Sequence, residues 1–565
     1  MAAFSPVTRK TAPRLAQYHS VDAAGRLRGT GERLGGDVGL WRGGRPRPII
    51  EERSRRGEAR MALAALKTCS SGPDPASFTS RVIETHVSYV VFIGDRVYKL
   101  KKPVVTDFLD FRTADARRAA CDAEVRLNRR LSPDVYLGVG TVAGPGGCRD
   151  YLVVMRRMPD DRRLTRLVTE DDADIGHKLR EIAVAVAEFH ARADRSPEID
   201  LAGRPEQVLA KWEANTVALR SYRSVGVDQA VVERVDRLAR RYVEGRAAIF
   251  VERIAAGRVI DGHGDLLADD IFCLPDGPRI LDCLEFDRRL RTIDTLADVA
   301  FLAMDLERLG RPELADQFLA AYQEAAGDEW PASLAHHWIA HRAQVRAKVA
   351  CVRASQGEQD QTEQAEQLLL LAARHLEAAI PRLVLVGGLP GTGKSTLAAA
   401  VGQARNWAVL RSDVIRKRLA GLDPLTPAAS AYGMGIYRAE ATAETYAKLL
   451  AEAEDLLVRG HSVVLDASWT LRCWRVGAAE LAGTTGALLV PLRCHTARPI
   501  AAGRLRVRAA RGGDPSDATE EIAAAMALTA DPWLDAKIVR TTGDWQASLG
   551  AAQAILDDCH AEEPC

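Results

Sequence analysis

The residues able to do chemistry fall in two stretches of a 565-residue chain. One reads VLVGGLPGTGKSTLAAA, Val384 to Ala400. Within it, Gly388 to Ser395 fits G-x-x-x-x-G-K-[ST], with an apolar run before and an Ala-rich run after. That pattern makes a phosphate cradle. Gly388, Gly391 and Gly393 let backbone N–H groups converge on an anion, and Thr392 and Thr396 lie beside them. The helix that follows adds about half a positive charge at its N-terminus. Lys394 can reach terminal phosphates, and the Ser395 hydroxyl can ligate Mg²⁺. A glycine-rich turn without a ligand is the competing reading, and the strand-turn-helix setting argues against it.

The other stretch reads DGHGDLLADDIF, Asp261 to Phe272. Phosphoryl transfer needs an acceptor hydroxyl in line, a carboxylate to take its proton, and a metal to neutralise the phosphates. Asp265 can supply that carboxylate. Asp282, in RILDCLEF, follows an apolar run further on. Upstream, Lys99 lies in RVYKLKK and Glu124 in CDAEVRLNRR. His190, in AEFHARA, is expected to pack or cap within its own helix.

Further acids and bases follow the phosphate cradle. Asp413 ends the apolar run WAVLRSD, where parallel sheets place their ligands. It can accept a proton from a hydroxyl, and it also suits the N-cap of the next helix. Arg416 lies one turn on, in reach of a substrate. Asp466 ends SVVLDAS and can hold Mg²⁺ or its water. Arg504, Arg508 and Arg511 recur at i, i+4 and i+7 beside Gly512-Gly513. A lid over phosphates and a solvated basic face both explain that stripe, and the nearby cradle favours the lid.

These residues need elements to place them. SYVVFIGDRVYKLKK alternates around Gly94-Asp95, a hairpin signature. An Arg-rich helix follows, then two strands around Gly144-Pro145-Gly146-Gly147. From Asp174 to about Ala379 the pattern is mostly helical, broken by the Asp261 stretch and one short hairpin. A small β-rich lobe therefore precedes a larger α-rich one. From Pro381 strands and helices alternate with near-continuous apolar strands, which predicts a buried parallel sheet. The expected organisation is a segment 1–60, a two-lobed α+β domain 61–379 and an α/β domain 380–565.

Bulk composition narrows the class. Lys+Arg total 77 and Asp+Glu 76, so net charge is +1. That balance argues against a polyelectrolyte-binding protein as a whole. No apolar run approaches the roughly 18 residues of a membrane span, and the N-terminus lacks a signal-type apolar core. Ten cysteines form no C-x-x-C pair, so free thiols in the cytoplasm are expected. Residues 1–60 are rich in Arg and Gly without periodicity. They read as a tail unable to bury a core, or as the product of a start upstream of Met61.

The motifs after Pro381 resemble small P-loop kinases of the gluconate-kinase and zeta-toxin type, often labelled AAA-type ATP-binding. That resemblance implies Asp413 as substrate base and Arg504 and Arg508 as the lid. His263-Gly264-Asp265 resembles the loop of aminoglycoside phosphotransferases and related small-molecule kinases. By that likeness Asp265 is the catalytic base and Asp282 the metal-binding acid. Lys99 contacts the phosphates, and Glu124 orients Lys99. The family's metal-binding Asn is replaced here by Asp270, and its glycine-rich loop by ETHVSYVVF, where Ser88 can substitute. The order Lys, Glu, His-Gly-Asp and strand Asp argues against a helical domain with incidental acids.

From about Ser80 nearly to its end, the chain resembles bifunctional aminoglycoside phosphotransferase/ATP-binding proteins. The resemblance implies a protein-kinase-like domain followed by a P-loop NTPase domain with a parallel sheet. It implies ATP and Mg²⁺ as cofactors and hydroxyl groups of small molecules as acceptors, with no membrane or nucleic-acid partner expected. A regulatory ATPase with a non-catalytic kinase-like domain, or an RNA-end or nucleotide kinase, is the alternative.

Overall fold

The β-branched and aromatic residues of SYVVFI and RVYKLK suit both segments to strands. In the structure, a computed structural model, β1 (Arg81–Glu84), β2 (Ser88–Ile93) and β3 (Arg96–Lys101) pair antiparallel. Gly94, at φ 57°, turns the β2–β3 hairpin with Asp95. Residues 81–559 are described, apart from 86, 107–108, 144–148, 359, 429 and 512. The segment 1–60 and the turn Gly144–Gly147 lie outside the described residues.

β4 (Tyr136–Ala143) and β5 (Arg149–Arg156) complete a five-stranded sheet of order β1-β2-β3-β5-β4. Between β3 and β4 runs α1 (Ala114–Asn128), started by the Thr113 hydroxyl accepting the Ala116 N–H at 3.1 Å. Its buried stripe is Cys121, Glu124, Val125 and Asn128, at three- and four-residue spacing. Cys121 and Val125 pack with Val153 of β5, which turns Glu124 inward with them.

The helical lobe contains α2 (Ile175–Arg192), α3 (Pro205–Ser221), α4 (Gln229–Gly245) and α5 (Ala247–Ala255). After the Asp261 loop come α6 (Thr295–Arg308), α7 (Pro312–Ala326), α8 (Ala332–Ser355) and α9 (Gln361–Ala379). Two small ladders interrupt the helices where one hairpin was expected. β6 (Val259–Asp261) pairs with β9 (Thr292–Asp294), and β7 (Ile271–Leu274) with β8 (Gly277–Ile280). The short run Thr292–Asp294 becomes a strand only because β6 offers a partner. The Asp261 loop thus hangs between β6 and β7, and Asp282 follows β8.

From Arg382 the chain alternates as expected. β10 (Arg382–Gly387), α10 (Lys394–Arg405), β11 (Ala408–Arg411) and α11 (Ser412–Leu419) come first. Then follow α12 (Ala439–Val458), β12 (Val463–Asp466), α13 (Arg472–Thr484) and β13 (Leu488–His495). α14 (Arg498–Arg511), α15 (Glu520–Thr529), β14 (Lys537–Arg540) and α16 (Trp545–Asp558) close the unit. The sheet is parallel throughout, in the order β11-β12-β10-β13-β14. The central strand β10 is buried at every position after Arg382, as a strand covered on both faces must be.

The change of topology near residue 380 is not a break in packing. Ala379, Ile380, Val384, Val464 and Val490 belong to the same core as Trp212 and Tyr242 of the helical lobe. Met61–Cys565 forms one compact unit. Arg246 Nη1 donates to Thr485 O at 2.9 Å, and Arg241 Nε to Gly486 O at 2.9 Å. Ser333 Oγ donates to Gly460 O at 2.7 Å. Among the described residues six cysteines are free thiols, but Cys559 is disulfide-bonded, against the expectation of free thiols throughout. Sequence spacing does not show which thiols the fold brings together. No helix among the described residues is long and apolar enough to cross a membrane.

At the junction a Cβ on Gly245 would stand 2.2 Å from Thr485 O, which is backbone and cannot swing away. Gly245→Ala should therefore cost about 1–3 kcal/mol, read as a lower thermal midpoint of the full chain. Gly483→Ala, on a helix with open space around it, should hold or raise the midpoint. An unchanged midpoint for Gly245→Ala would contradict the close junction.

Candidate functional site

Strand alternation puts Lys99 and Lys101 on one face of β3. Lys99 Nζ lies 2.9 Å from Glu124 Oε1 and donates to Asp282 Oδ1 at 2.5 Å. Lys101 Nζ reaches the second Glu124 oxygen at 2.5 Å and Glu285 Oε1 at 2.5 Å. Burial alone would push Lys99 down and Glu124 up. Asp282, then Glu124, outweighs it and holds Lys99 well above the usual lysine range. Lys101, then Lys99, holds Glu124 below the usual carboxylate range. Removing one partner of such a buried pair costs about 3–5 kcal/mol, because the other charge is stranded.

Asp282 has φ 65°, a left-handed conformation that costs a non-glycine residue on the order of 1–3 kcal/mol. Its N–H donates to Tyr136 Oη at 3.1 Å, and Lys99 holds its carboxylate. Two more acids lie within the field of Asp282. Burial, then Asp282, Asp265 and Asp269, pushes the Asp270 carboxyl well above its ordinary value. Burial pushes Asp265 up to about 6 against the pull of Arg346 and Arg342, and Asp282 adds to the rise. The Asp282 charge thus reaches Lys99, Glu124, Asp265 and Asp270, groups far apart in sequence.

The loop that carries Asp265 is clamped by Asp298, in the first turn of α6. Asp298 Oδ2 accepts the His263 N–H at 2.6 Å, and Oδ1 accepts the Gly264 N–H at 2.9 Å. A side chain at 262 would collide with this carboxylate, because a Cβ there would stand 2.5 Å from Asp298 Oδ2. His190 Nε2 lies 3.1 Å from Asp298 Oδ2, and its Nδ1 lies 2.7 Å from Tyr322 Oη. His190 therefore does not cap or pack only within its own helix. It braces α6 and α7, a role set by tertiary neighbours.

In the second centre β10 ends at Gly387 and α10 begins at Lys394, so the N–H groups of the first helical turn have no partner within the helix. Ser395 and Thr396 stand in that turn. Gly391 has φ 80°, and a Cβ there would lie 2.6 Å from Ala501 O, so only glycine fits. Thr541 Oγ1 donates to Thr392 O at 2.5 Å and Gly388 N–H to Ser468 O at 3.0 Å, which fix the loop. Lys394 Nζ donates to Leu389 O at 3.2 Å.

Asp413 and Asp466 end up beside this cradle. Burial, then Asp466, raises the Asp413 carboxyl, while Arg416 and Lys394 oppose the rise. Asp413 is not the N-cap of α11: Arg411 holds that position and Asp413 falls within the first turn. Asp466 ends β12 and accepts from Arg411 Nε at 3.2 Å. Arg416 stacks on Tyr437, 4.9 Å from the ring centre, with a buried Nε that has no partner. Arg504 Nη2 donates to Thr541 O at 2.6 Å, and its Nη1 lies 3.4 Å from where a Gly393 Cβ would stand. Arg504, Arg508 and Arg511 line one cavity of about 540 Å³.

Comparison with known proteins places the chain. It is 43% identical over 489 residues to Mb2027c of Mycobacterium bovis and to Rv2004c of Mycobacterium tuberculosis. The match spans 86% of this chain and 97% of theirs. The chain belongs to their family. Residues 383–532 also match the model of an AAA domain. A gluconokinase structure from Sinorhizobium meliloti is similar at 20% identity, covering 32% of this chain and 93% of its own, with a TM-score of 0.24. A choline kinase from Cryptosporidium parvum is similar at 12% identity, covering 56% and 95%, with a TM-score of 0.38.

The sequence reading missed Lys101, Glu285, Asp298 and Asp517. Lys101 carried a signal, two residues from Lys99 on the same strand face. Asp517 accepts from Tyr437 Oη at 2.9 Å and pairs with the fully buried Lys417 at 3.2 Å. Asp298 and Glu285 look like ordinary acids in the sequence.

Because the folded Asp265 carboxyl sits at about 6, above its ordinary 3.8, its contribution favours folding at low pH and is lost as pH rises through about 6. Asp265→Asn removes that dependence. The variant should gain thermal stability relative to wild type at pH 8 and lose most of that gain near pH 4. A gain independent of pH would contradict the raised carboxyl.

Proposed function

We propose that the chain is an ATP-dependent phosphotransferase with two kinase-type modules, each moving the γ-phosphate of ATP to a small-molecule hydroxyl. One observation carries the reading. Lys99, paired with Glu124 and Asp282, is linked through the Asp282 charge to Asp265, a carboxylate poised near neutrality. Lys99 holds phosphate oxygens and Glu124 fixes its position. Asp265 orients the acceptor hydroxyl and receives its proton as the oxygen–phosphorus bond forms and the bridging oxygen leaves with ADP.

Mg²⁺ suits both centres. Asp270 is pushed up by burial and then by Asp282 and Asp265, and a divalent cation among them would relieve that repulsion. Such ions are held by one or two carboxylates plus substrate phosphates, so Asp270 and Asp282 would hold them here, and Ser395 and Asp466 in the second centre. When bound, the ion neutralises charge on the transferring phosphoryl group. In the second centre Gly388 to Thr396 cradle the phosphates with Lys394, and Asp413 serves as base. Arg504 and Arg508 close over the phosphates.

A regulatory ATPase is the second reading, and the continuous core between modules favours it. A metabolite-pool phosphorylation screen separates the two. Asp265→Asn should lower turnover on first-module acceptors by roughly 10²–10⁴, and Lys394→Ala should remove a different set of products. The first-module rate should fall as pH drops through about 6, where Asp265 takes up its proton. Unchanged products in Asp265→Asn would favour the regulator.

A further inference from the structure

The helical lobe brings a second set of charges to Asp265; the fields of Asp265, Asp298 and Asp294 reach this set, but none of its members makes a salt bridge among the described residues. Arg346 and Arg342 of α8 are the cations whose fields act most strongly on Asp265. Lys211 of α3 and Lys348 of α8 lie near His341, as does Arg342. The hydrogen bonds of this group go to neutral acceptors. Lys211 Nζ donates to Thr292 O at 3.2 Å, Arg342 Nε to Ala297 O at 2.8 Å and Lys348 Nζ to Asn215 Oδ1 at 2.7 Å.

Two members are buried with polar atoms to spare. Arg342 is 4% exposed and stacks on Phe301 at 4.4 Å, yet its Nη2 has no partner. His341 is 5% exposed, lies 5.0 Å from the Trp212 ring and 5.8 Å from Trp338, and neither ring nitrogen has a partner. Burial, then Arg342, pushes Lys211 down to about 8 against the pull of Asp294. Burying unpaired cations together is costly. The lysines of β3 face the same penalty, and Glu124, Asp282 and Glu285 answer it. In the helical lobe only the fields of Asp265, Asp294 and Asp298 oppose it, and the unpartnered Arg342 Nη2 and His341 nitrogens are left for an anionic ligand.

We infer that the first module's acceptor is a hydroxyl compound with an anionic group, a carboxylate or phosphate. Arg342, Arg346 and Lys211 grip that group, and His341 hydrogen-bonds beside it. The inference rests on Asp265 as the proton acceptor. The same charges repel a polycationic amino sugar, so like-charge rejection sets specificity as much as attraction does.

The test uses the full chain carrying Lys394→Ala, saturated with Mg²⁺ and a non-hydrolysable ATP analogue so that nucleotide-phosphate sites are filled. Calorimetry then compares gluconate, glucose 6-phosphate, glucose and glucosamine. At least one of the two anions should bind tenfold or more tightly than glucose or glucosamine. Arg346→Gln, on a half-buried side chain, should weaken that binding by about 10- to 100-fold, and Arg346→Lys should restore part of it. Tighter binding of glucose or glucosamine, no binding of either anion, or anion binding indifferent to Arg346→Gln would overturn the inference. Asp265→Asn is measured in parallel. If it keeps both turnover and Arg346-dependent anion binding, the catalytic reading fails while the anion site stands.

Discussion

Two lysines on one strand share a single buried glutamate, and the architecture of the first module follows from that constraint. Lys99 and Lys101 cannot return to water, so Glu124 must sit between them, with Asp282 and Glu285 on their far sides. Strand β3, helix α1 and the segment after β8 have one mutual arrangement that satisfies all five charges. Asn128 reinforces it, accepting the Cys283 N–H at 2.9 Å one helical turn from Glu124. The strained Asp282 backbone is held by the same contacts. Electrostatics here acts as a positioning device for the carboxylates that follow.

A second buried carboxylate, Asp298, does for the loop what Glu124 does for the lysines. It converts two backbone N–H groups and a histidine into a fixed turn, and Asp265 projects from that turn. α8 then links regions that the topology alone would separate. Ser333 at its start bonds to Gly460 of the P-loop module, and Arg342 and Arg346 further along reach the field of Asp265. One rigid helix therefore serves the junction and the first centre together.

The sequence was most legible where geometry is local. The cradle at Gly388 to Ser395, the Gly94-Asp95 hairpin and the α14 arginine stripe each follow from spacing within one element. Lys99, Glu124 and Asp282 were readable only through resemblance, since nothing local tells which lysine meets which acid. Lys101 and Glu285 complete the same network and were missed for that reason. His190 was assigned to its own helix because its partners, Asp298 and Tyr322, lie over a hundred residues away. The strand pattern changes at residue 380, while the core is decided by which side chains pack and runs on across that change. Asp413 fell two residues past the N-cap of its helix, a shift of the kind that end assignments carry.

The central claim is that one polypeptide holds two independent sites for magnesium-bound nucleotide, one organised by Lys99 and the other by Lys394. Calorimetric titration of the full chain with a non-hydrolysable ATP analogue and Mg²⁺ measures this directly. Two equivalents should bind to wild type, and one each to Lys99→Met and Lys394→Ala, with the surviving site unchanged in affinity. A single equivalent in wild type, abolished by Lys394→Ala and indifferent to Lys99→Met, would contradict the account.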